Sequence, residues 1–213
     1  MLVTGIKSKP VYAPLKADTR GRYHLMLGMG VGAAPLLRVI DEMRIAVAQG
    51  LQNTRVLFVP DTGAADAGAA HAGAAAEVEK FRTAAVGDVQ GFPGTQALLE
   101  EFRSTLGKSL MGTRLYVAGP ESFIGLVMKI ALEFNLNKDE IRAEECGTLA
   151  RRVYCIHCRA TTENVRTNIA RCVACDRWLL VRDHYSRRLA AYMGVMVDAE
   201  APGELPQLVE VFR

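Results

Sequence analysis

The sequence has no long apolar run. No stretch approaches the roughly 20 consecutive apolar residues that a bilayer crossing needs. Met1–Pro10 lacks the apolar core and small-residue cleavage site of a secretory leader. The expected location is therefore the cytoplasm, without a membrane partner. There thiols stay reduced, and paired Cys-x-x-Cys motifs bind metal more often than they form disulfides. Lysine is absent from residues 151–188, aromatic residues make up only 7% of the chain, and the formal net charge is +3. That balance argues against nucleic acid as a partner, because nucleic-acid-binding domains are commonly strongly basic. Histidine is scarce as well. His71 falls in an alanine- and glycine-rich run and reads as a solvated loop residue rather than a ligand.

What is present begins with four cysteines. Cys155 and Cys158 form one Cys-x-x-Cys pair, Cys172 and Cys175 form a second, and 13 residues separate them. Two such turns supply four thiolates at tetrahedral geometry, which suits Zn²⁺ or iron, and the spacing is close to that of a zinc ribbon. A rubredoxin-type iron site usually has glycine after the second cysteine of each pair. Arg159 and Asp176 stand there instead, which favours zinc. A closed shell of four cysteines has no open position for catalysis, so the metal is expected to hold the fold. His157, inside the first pair, is expected to point outward, and the fifth cysteine, Cys146, reads as a small buried residue.

The charge is segregated. Residues 1–150 are balanced, whereas residues 151–188 carry nine arginines against Glu163, Asp176 and Asp183. Within this basic stretch Arg182, His184, Arg187 and Arg188 are candidates for an anion or partner surface, because guanidinium forks bind carboxylates and phosphates. The competing reading of 183–188 is a solvated helix start, with Tyr185, Leu189 and Tyr192 packed inward.

Ahead of the cysteines the chain alternates strand and helix. Residues 1–20 look irregular or edge-strand. Tyr23–Leu27 is an apolar run leading into the turn Gly28-Met29-Gly30-Val31-Gly32, and Pro35–Gln49 has helical periodicity. Arg55–Val59 reads as a second strand. The run from Gly63 reads as a loop entering a short helix near Ala74–Phe81, since its spaced glycines cost about 1 kcal/mol each against alanine. Thr83–Val86 is the candidate third strand, and Thr95 is the expected cap of a helix to about Thr105. Thr113–Ala118 and Ile141–Glu145 complete the strands, with a helix between Pro120 and Phe134. Such alternation implies an α/β fold with a doubly wound, parallel, five-stranded sheet. A small β module with a Cys₄ site follows. The expected domains are 1–148 and 149–213.

Three segments sharpen this. His24-Leu25-Met26-Leu27-Gly28-Met29-Gly30-Val31-Gly32-Ala33-Ala34-Pro35 resembles the opening strand, Gly-x-Gly turn and Thr-Pro helix start of the NAD-binding domain in ferredoxin-reductase-type flavoproteins. Leu115-Tyr116-Val117-Ala118-Gly119-Pro120 resembles their Val-Tyr-x-Cys-Gly-Pro strand end. Ile141–Gly147 more loosely resembles their closing segment. The likeness covers about residues 20–147. It implies a nucleotide or anion site at Gly28, Gly30, Gly32, Gly119 and Pro120, because a glycine turn into a helix N-terminus offers N–H groups to an anion. NAD(P) binding stays open, since Ala34 and Ala118 replace the family's threonine and cysteine. Pro60-Asp61-Thr62 stands where many relatives place an arginine.

The C-terminal string from Leu149 through both cysteine pairs to Leu180-Val181-Arg182-Asp183-His184-Tyr185-Ser186-Arg187-Arg188-Leu189 resembles the DmmA subunit of bacterial dimethylamine monooxygenase. Thr4–Tyr12 and Leu208–Arg213 fit as well. That resemblance implies a multi-subunit oxygenase using NAD(P)H and O₂ to convert dimethylamine to methylamine and formaldehyde, with the other cofactors on other subunits. This chain would be an accessory subunit without catalytic residues of its own, contributing subunit docking through its zinc ribbon and its reductase-like domain. Two alternatives stay open: an iron electron-transfer protein of rubredoxin type, and a surface at Arg182–Arg188 that binds a formaldehyde acceptor such as tetrahydrofolate.

Overall fold

The computed structural model describes residues 8–46, 51–60, 67–84 and 86–213, with backbone alone over 67–74. Contacts divide the chain into two compact units. One is Tyr12–Gly147. The other is Thr148–Arg213 together with the N-terminal segment up to Val11, which the sequence places with the first domain.

The first unit is built on β1 (Tyr23–Met29). Its interior is buried on both faces, as a central parallel strand requires. Leu25 and Leu27 face one apolar layer, and Met26 faces the other. Parallel pairing joins β1 to β2 (Thr54–Val59) and to β4 (Thr113–Gly119). β3 (Asp88–Gly91) pairs with β2, and β5 (Ile141–Glu145) with β4, giving the order β3-β2-β1-β4-β5. Helices α1 (Ala33–Ala46) and α2 (Ala67–Thr83) supply Leu36, Val39, Ile40, Met43 and Phe81 to the Met26 layer. Helices α3 (Thr95–Leu106) and α4 (Glu121–Glu133) supply Leu98, Phe102, Phe123 and Val127 to the opposite layer. The sheet is therefore doubly wound, with its change of winding direction between β1 and β4.

Several element boundaries differ from the sequence reading. The alanine-rich run is helical from Ala67 and contains His71, because its alanines outweigh Gly68 and Gly73; Asp61–Asp66 lie outside the described residues. Thr83 ends this helix, its hydroxyl donating to the Glu79 and Lys80 carbonyls. The third strand therefore starts later, at Asp88, where Arg55 forms an ion pair at 2.8 Å. Thr95 is the first residue of α3, not its cap, and its hydroxyl points to Met29 Sδ at 3.8 Å.

Residues 12–20 form an extended strap rather than a strand, so their amides need other acceptors. Leu15 is fully buried in the Met26 layer, and its N–H donates to Glu144 at 2.6 Å. Ala17 donates to Glu42, and Asp18 to the Tyr116 hydroxyl at 2.9 Å. The Asp18 carboxylate then receives Arg20, Arg114 and Arg142 at 3.0, 3.2 and 3.1 Å. The Arg20 side-chain hydrogen bond, against the opposing effect of burial, holds this carboxyl well below the usual carboxylate range. Burial also favours neutral His24 and a protonated Tyr116, which approach each other at 3.4 Å.

The second unit is a five-stranded sheet in the order β7-β6-β10-β9-β8. The strands are β6 (Arg151–Cys155), β7 (Thr161–Val165), β8 (Ile169–Arg171), β9 (Trp178–Ser186) and β10 (Ala191–Met196). β6 and β10 are parallel and the other pairs antiparallel. Residues 183–186 are strand, not helix start. Ser8 explains this in part: its N–H donates to Asp183 O at 3.0 Å, its hydroxyl donates to Tyr185 O, and it accepts from Tyr185 N–H at 2.7 Å. The C-terminal tail closes the unit. Arg151 lies between the rings of Tyr192 and Phe212, at 3.9 and 3.8 Å, and pairs with Asp183 at 2.7 Å.

Asp18→Asn should lower stability by about 1.5–3 kcal/mol, the range for hydrogen bonds to charged groups. Asp18's depressed value makes its contribution complete above about pH 4 and lost as pH falls below that. Thermal melts between pH 3 and 7 should therefore show an acid-side loss in the wild type that is smaller in the variant.

Candidate functional site

The two cysteine pairs form the same turn twice. In the first, Cys155 N–H donates to Ala160 O and Arg159 N–H to Cys155 O, both at 2.9 Å. In the second, Cys172 N–H donates to Arg177 O at 2.9 Å and Asp176 N–H to Cys172 O at 3.1 Å. The residue after each second cysteine is left-handed: Arg159 has φ 67° and Asp176 φ 56°. These are the positions where glycine was missing from the sequence. Left-handed backbone costs a non-glycine residue about 1–2 kcal/mol, so closure of the turns must offset it twice.

The four sulfurs lie within 4.8 Å of one another. Cys155 and Cys175 are 3.8 Å apart, and Cys158 and Cys172 3.4 Å. These separations exceed a disulfide bond, about 2.05 Å. They match the edge of about 3.8 Å in a tetrahedron of sulfurs each 2.3 Å from a metal. The amides also suit a metal-bound thiolate, because Ala160 N–H points to the Cys158 sulfur and Arg177 N–H to that of Cys175. For Cys158 the Ala160 amide is outweighed by burial and the neighbouring cysteines, and the thiol is pushed up to about 12. At Cys175 the Arg177 amide prevails over burial, aided by the Arg177 side chain, and the thiol falls to about 6. Four sulfurs this close do not all ionise unaided, and a cation among them supplies the balance. The residues therefore fit a tetrathiolate metal ion, held by Cys155, Cys158, Cys172 and Cys175.

A contact between the knuckles escaped the sequence reading. Arg177 Nη1 donates to His157 Nδ1 at 3.1 Å, tying one turn to the other. The only sequence signal was position, since Arg177 stands two residues after Cys175 as Ala160 stands two after Cys158. Cys146 is half-buried at the end of β5, with its N–H on Gly119 O, and burial pushes its thiol up.

The glycines of the first unit lie at the C-terminal ends of β1 and β4, where doubly wound folds bind ligands. Packing already requires two of them. A Cβ on Gly28 would stand 2.7 Å from Leu36, and one on Gly32 would stand 2.2 Å from the Ala118 carbonyl oxygen. Gly30 and Gly119 have φ of 53° and 154°. Pro120 precedes α4, and its carbonyl accepts from Phe123 and Ile124. Ala34 is exposed in the first turn of α1, and Ala118 is fully buried. The structure thus brings Gly28, Gly30, Gly32, Gly119 and Pro120 to the C-terminal ends of two adjacent central strands, with an apolar neighbour in Met29, whose Cβ lies 3.3 Å from the position a Gly119 Cβ would take.

Arg182 and His184 are half-buried on β9, and Arg187 and Arg188 are exposed in the turn to β10. The β9–β10 register shifts between Tyr192 and Gly194, so residues 182–184 lie in an irregularity that re-aims side chains.

Fold and site together define a doubly wound α/β unit and a tetracysteine β module. The chain belongs to the DmmA-like family of dimethylamine monooxygenase subunits: the family's N-terminal domain matches residues 4–141 and its C-terminal domain residues 152–195. It is 33% identical over 111 residues to the heme-dependent oxidative N-demethylase delta subunit of Ectopseudomonas mendocina (strain ymp), covering 52% of this chain and 63% of that protein. Solved structures with distant likeness include the ferredoxin-NADP+ reductase from Plasmodium falciparum, at 12% identity, TM-score 0.44, 58% of this chain and 52% of that one. Another is the flavohem-like FAD/NAD-binding domain of nitric oxide dioxygenase from Vibrio cholerae, at 16% identity, TM-score 0.42, 65% of this chain and 56% of that one. No described helix is long and apolar enough to cross a membrane.

Chelation should unfold the second unit and leave the first folded, which hydrogen exchange resolved by segment would show. Cys158→Ser with Cys175→Ser should abolish tight metal binding. Arg159→Gly should stabilise the metal-loaded protein by about 0.5–1 kcal/mol, by relieving one left-handed residue, as measured by thermal melting.

Proposed function

We propose that this chain is an accessory subunit of an oxidative N-demethylase assembly that converts dimethylamine to methylamine and formaldehyde with NAD(P)H and O₂. Its tetracysteine centre would hold structural Zn²⁺. The family match over both units carries this reading, and the relative's description as a delta subunit supports an assembly role. The closed cysteine shell supports a structural metal, since all four ligand positions are filled by protein. Ala34 and Ala118 support a scaffold role for the first unit. They put methyl groups where the reductase-type domains that the sequence resembles have a threonine and a cysteine.

In this role the chain's own residues bind and orient. Cys155, Cys158, Cys172 and Cys175 hold the ion, and the Ala160 and Arg177 amides orient two of the sulfurs. Arg182, His184, Arg187 and Arg188 form a basic stretch for an acidic partner surface, half-buried on the strand and exposed at the turn. The ion would fix the second unit's shape, and reduction and oxygen activation would reside on other subunits.

A second reading has a specific observation behind it. The left-handed Arg159 and Asp176 and the amides directed at sulfur also suit a rubredoxin-type iron centre. Metal analysis decides. A colourless protein with one Zn²⁺ per chain supports the first reading, and a red, iron-loaded protein with visible thiolate charge-transfer bands supports the second. Omitting this chain from the co-expressed assembly should lower its yield or uncouple NAD(P)H use from formaldehyde release. Unchanged assembly and coupling without it would overturn the accessory role.

A further inference from the structure

His24 is the one fully buried histidine among the described residues, at 2% exposure. It stands near the start of β1, where the strap ends in a turn: Gly21 N–H donates to Asp18 O at 3.2 Å. The turn wedges Gly21 between His24 and Arg114. A Cβ on Gly21 would stand 2.7 Å from His24 Cε1 and 2.6 Å from Arg114 Cγ. Nδ1 of His24 faces the Tyr116 hydroxyl at 3.4 Å, and Nε2 is buried with no hydrogen-bond partner. A neutral imidazole carries one N–H and tolerates such a site. An imidazolium carries two N–H groups and a charge, and burying it without an acceptor costs far more.

The surrounding charges are already committed. Asp18 of the strap receives Arg20, Arg114 of β4 and Arg142 of β5. Arg114 also meets Glu140 at 3.5 Å. Glu42 of α1 accepts the Ala17 N–H, and Glu144 of β5 accepts Leu15 N–H and pairs with Arg38. On the β2 side His24 is in register with neutral Thr54. Burial, the larger influence, and the charge of Arg114 favour the neutral ring; the charge of Asp18 and a backbone contact with Gly21 favour the cation. The strap hangs on the same network. The hydroxyl that faces Nδ1 also accepts the Asp18 N–H, so ring and strap share one oxygen. Leu15, Ala17 and Asp18 are held by side-chain acceptors and not by a strand ladder. A histidine held below its ordinary value of about 6.5 leaves stability complete above that pH, and the stability is lost as pH falls below it. The loss from Asp18 lies below about pH 4, so the two are separable.

We propose that His24 makes the strap acid-labile: at mildly acid pH a second ring proton drives the Asp18–Gly21 turn off the ring and frees residues 12–20, while the sheet stays paired. The device is independent of the metal centre and of the subunit reading, and it loosens the chain where it enters the α/β unit. The test is amide hydrogen exchange on the full chain from pH 7 to pH 5, corrected for the intrinsic pH dependence of exchange. Protection of the Leu15, Ala17 and Asp18 amides should fall about threefold or more over that range, and by no more than about tenfold per pH unit, the limit for one proton. Protection of Met26 and Tyr116 in the sheet should hold. His24→Gln and His24→Phe should remove the pH response of the strap. Strap protection constant from pH 7 to pH 5, or the same fall in the variants, would overturn the proposal, and so would a parallel loss in the sheet. Should the Phe variant not fold, the Gln variant and an NMR titration of the wild-type ring decide. A ring still neutral at pH 5 while the strap loosens would also overturn it.

Discussion

Four sulfurs held within 4.8 Å of one another set the terms for the second unit. Its buried hydrophobic residues are Ala150, Val153, Cys155, Val165, Ile169, Cys172, Leu179, Val181, Tyr185, Ala190, Ala191 and Tyr192. Two of those twelve are cysteines of the quartet. A core this small supplies little stability by itself, and small domains of this kind commonly rely on a metal or disulfides. The convergence of the two turns brings β6 to the segment after β8. Each turn is also closed by two backbone hydrogen bonds, which help offset the left-handed backbone at Arg159 and Asp176.

The remaining closures of that unit come from the chain ends. Leu149 N–H donates to Arg213 O, and Val211 and Phe212 donate to Arg166 O, which brings Phe212 over Arg151. Ser8 joins β9 from the other end of the sequence. The α/β unit is thus an insertion between Val11 and Thr148 of the β module. An insertion needs its own ends close together, and the strap meets that need. Leu15 N–H donates to Glu144 on β5, and Arg38 bonds the same carboxylate oxygen at 2.5 Å. The entering chain is therefore pinned beside the last strand of the inserted unit.

Much of this was legible in local pattern. The cysteine spacing marked four sulfurs that the fold brings together, and the alternation of apolar strands with periodic helices marked the parallel sheet. What was hidden depends on distant partners. Residues 183–186 look like a helix start because Asp-His-Tyr-Ser lacks strand alternation, and their partner Ser8 lies 177 residues from Tyr185. The role of Arg151 was equally invisible, since its two aromatic neighbours come from β10 and the tail. Asp18 stood out neither by motif nor by spacing, because the three arginines that converge on it come from the strap, β4 and β5.

Two glycines of the turn answer a packing demand of their own. A Gly-x-Gly entering a helix invites a nucleotide reading, yet Gly28 and Gly32 are already required by Leu36, Phe58 and the Ala118 carbonyl. These glycines would be needed whether or not a ligand binds, so they weigh little as evidence of one. The cysteines differ in kind. Cys155 and Cys172 are buried, but four sulfurs converging with amides directed at two of them suit a cation, and thiols so close are poor neighbours without one. Four converging sulfurs suit a cation, whereas Gly28 and Gly32 serve the packing of the α/β unit.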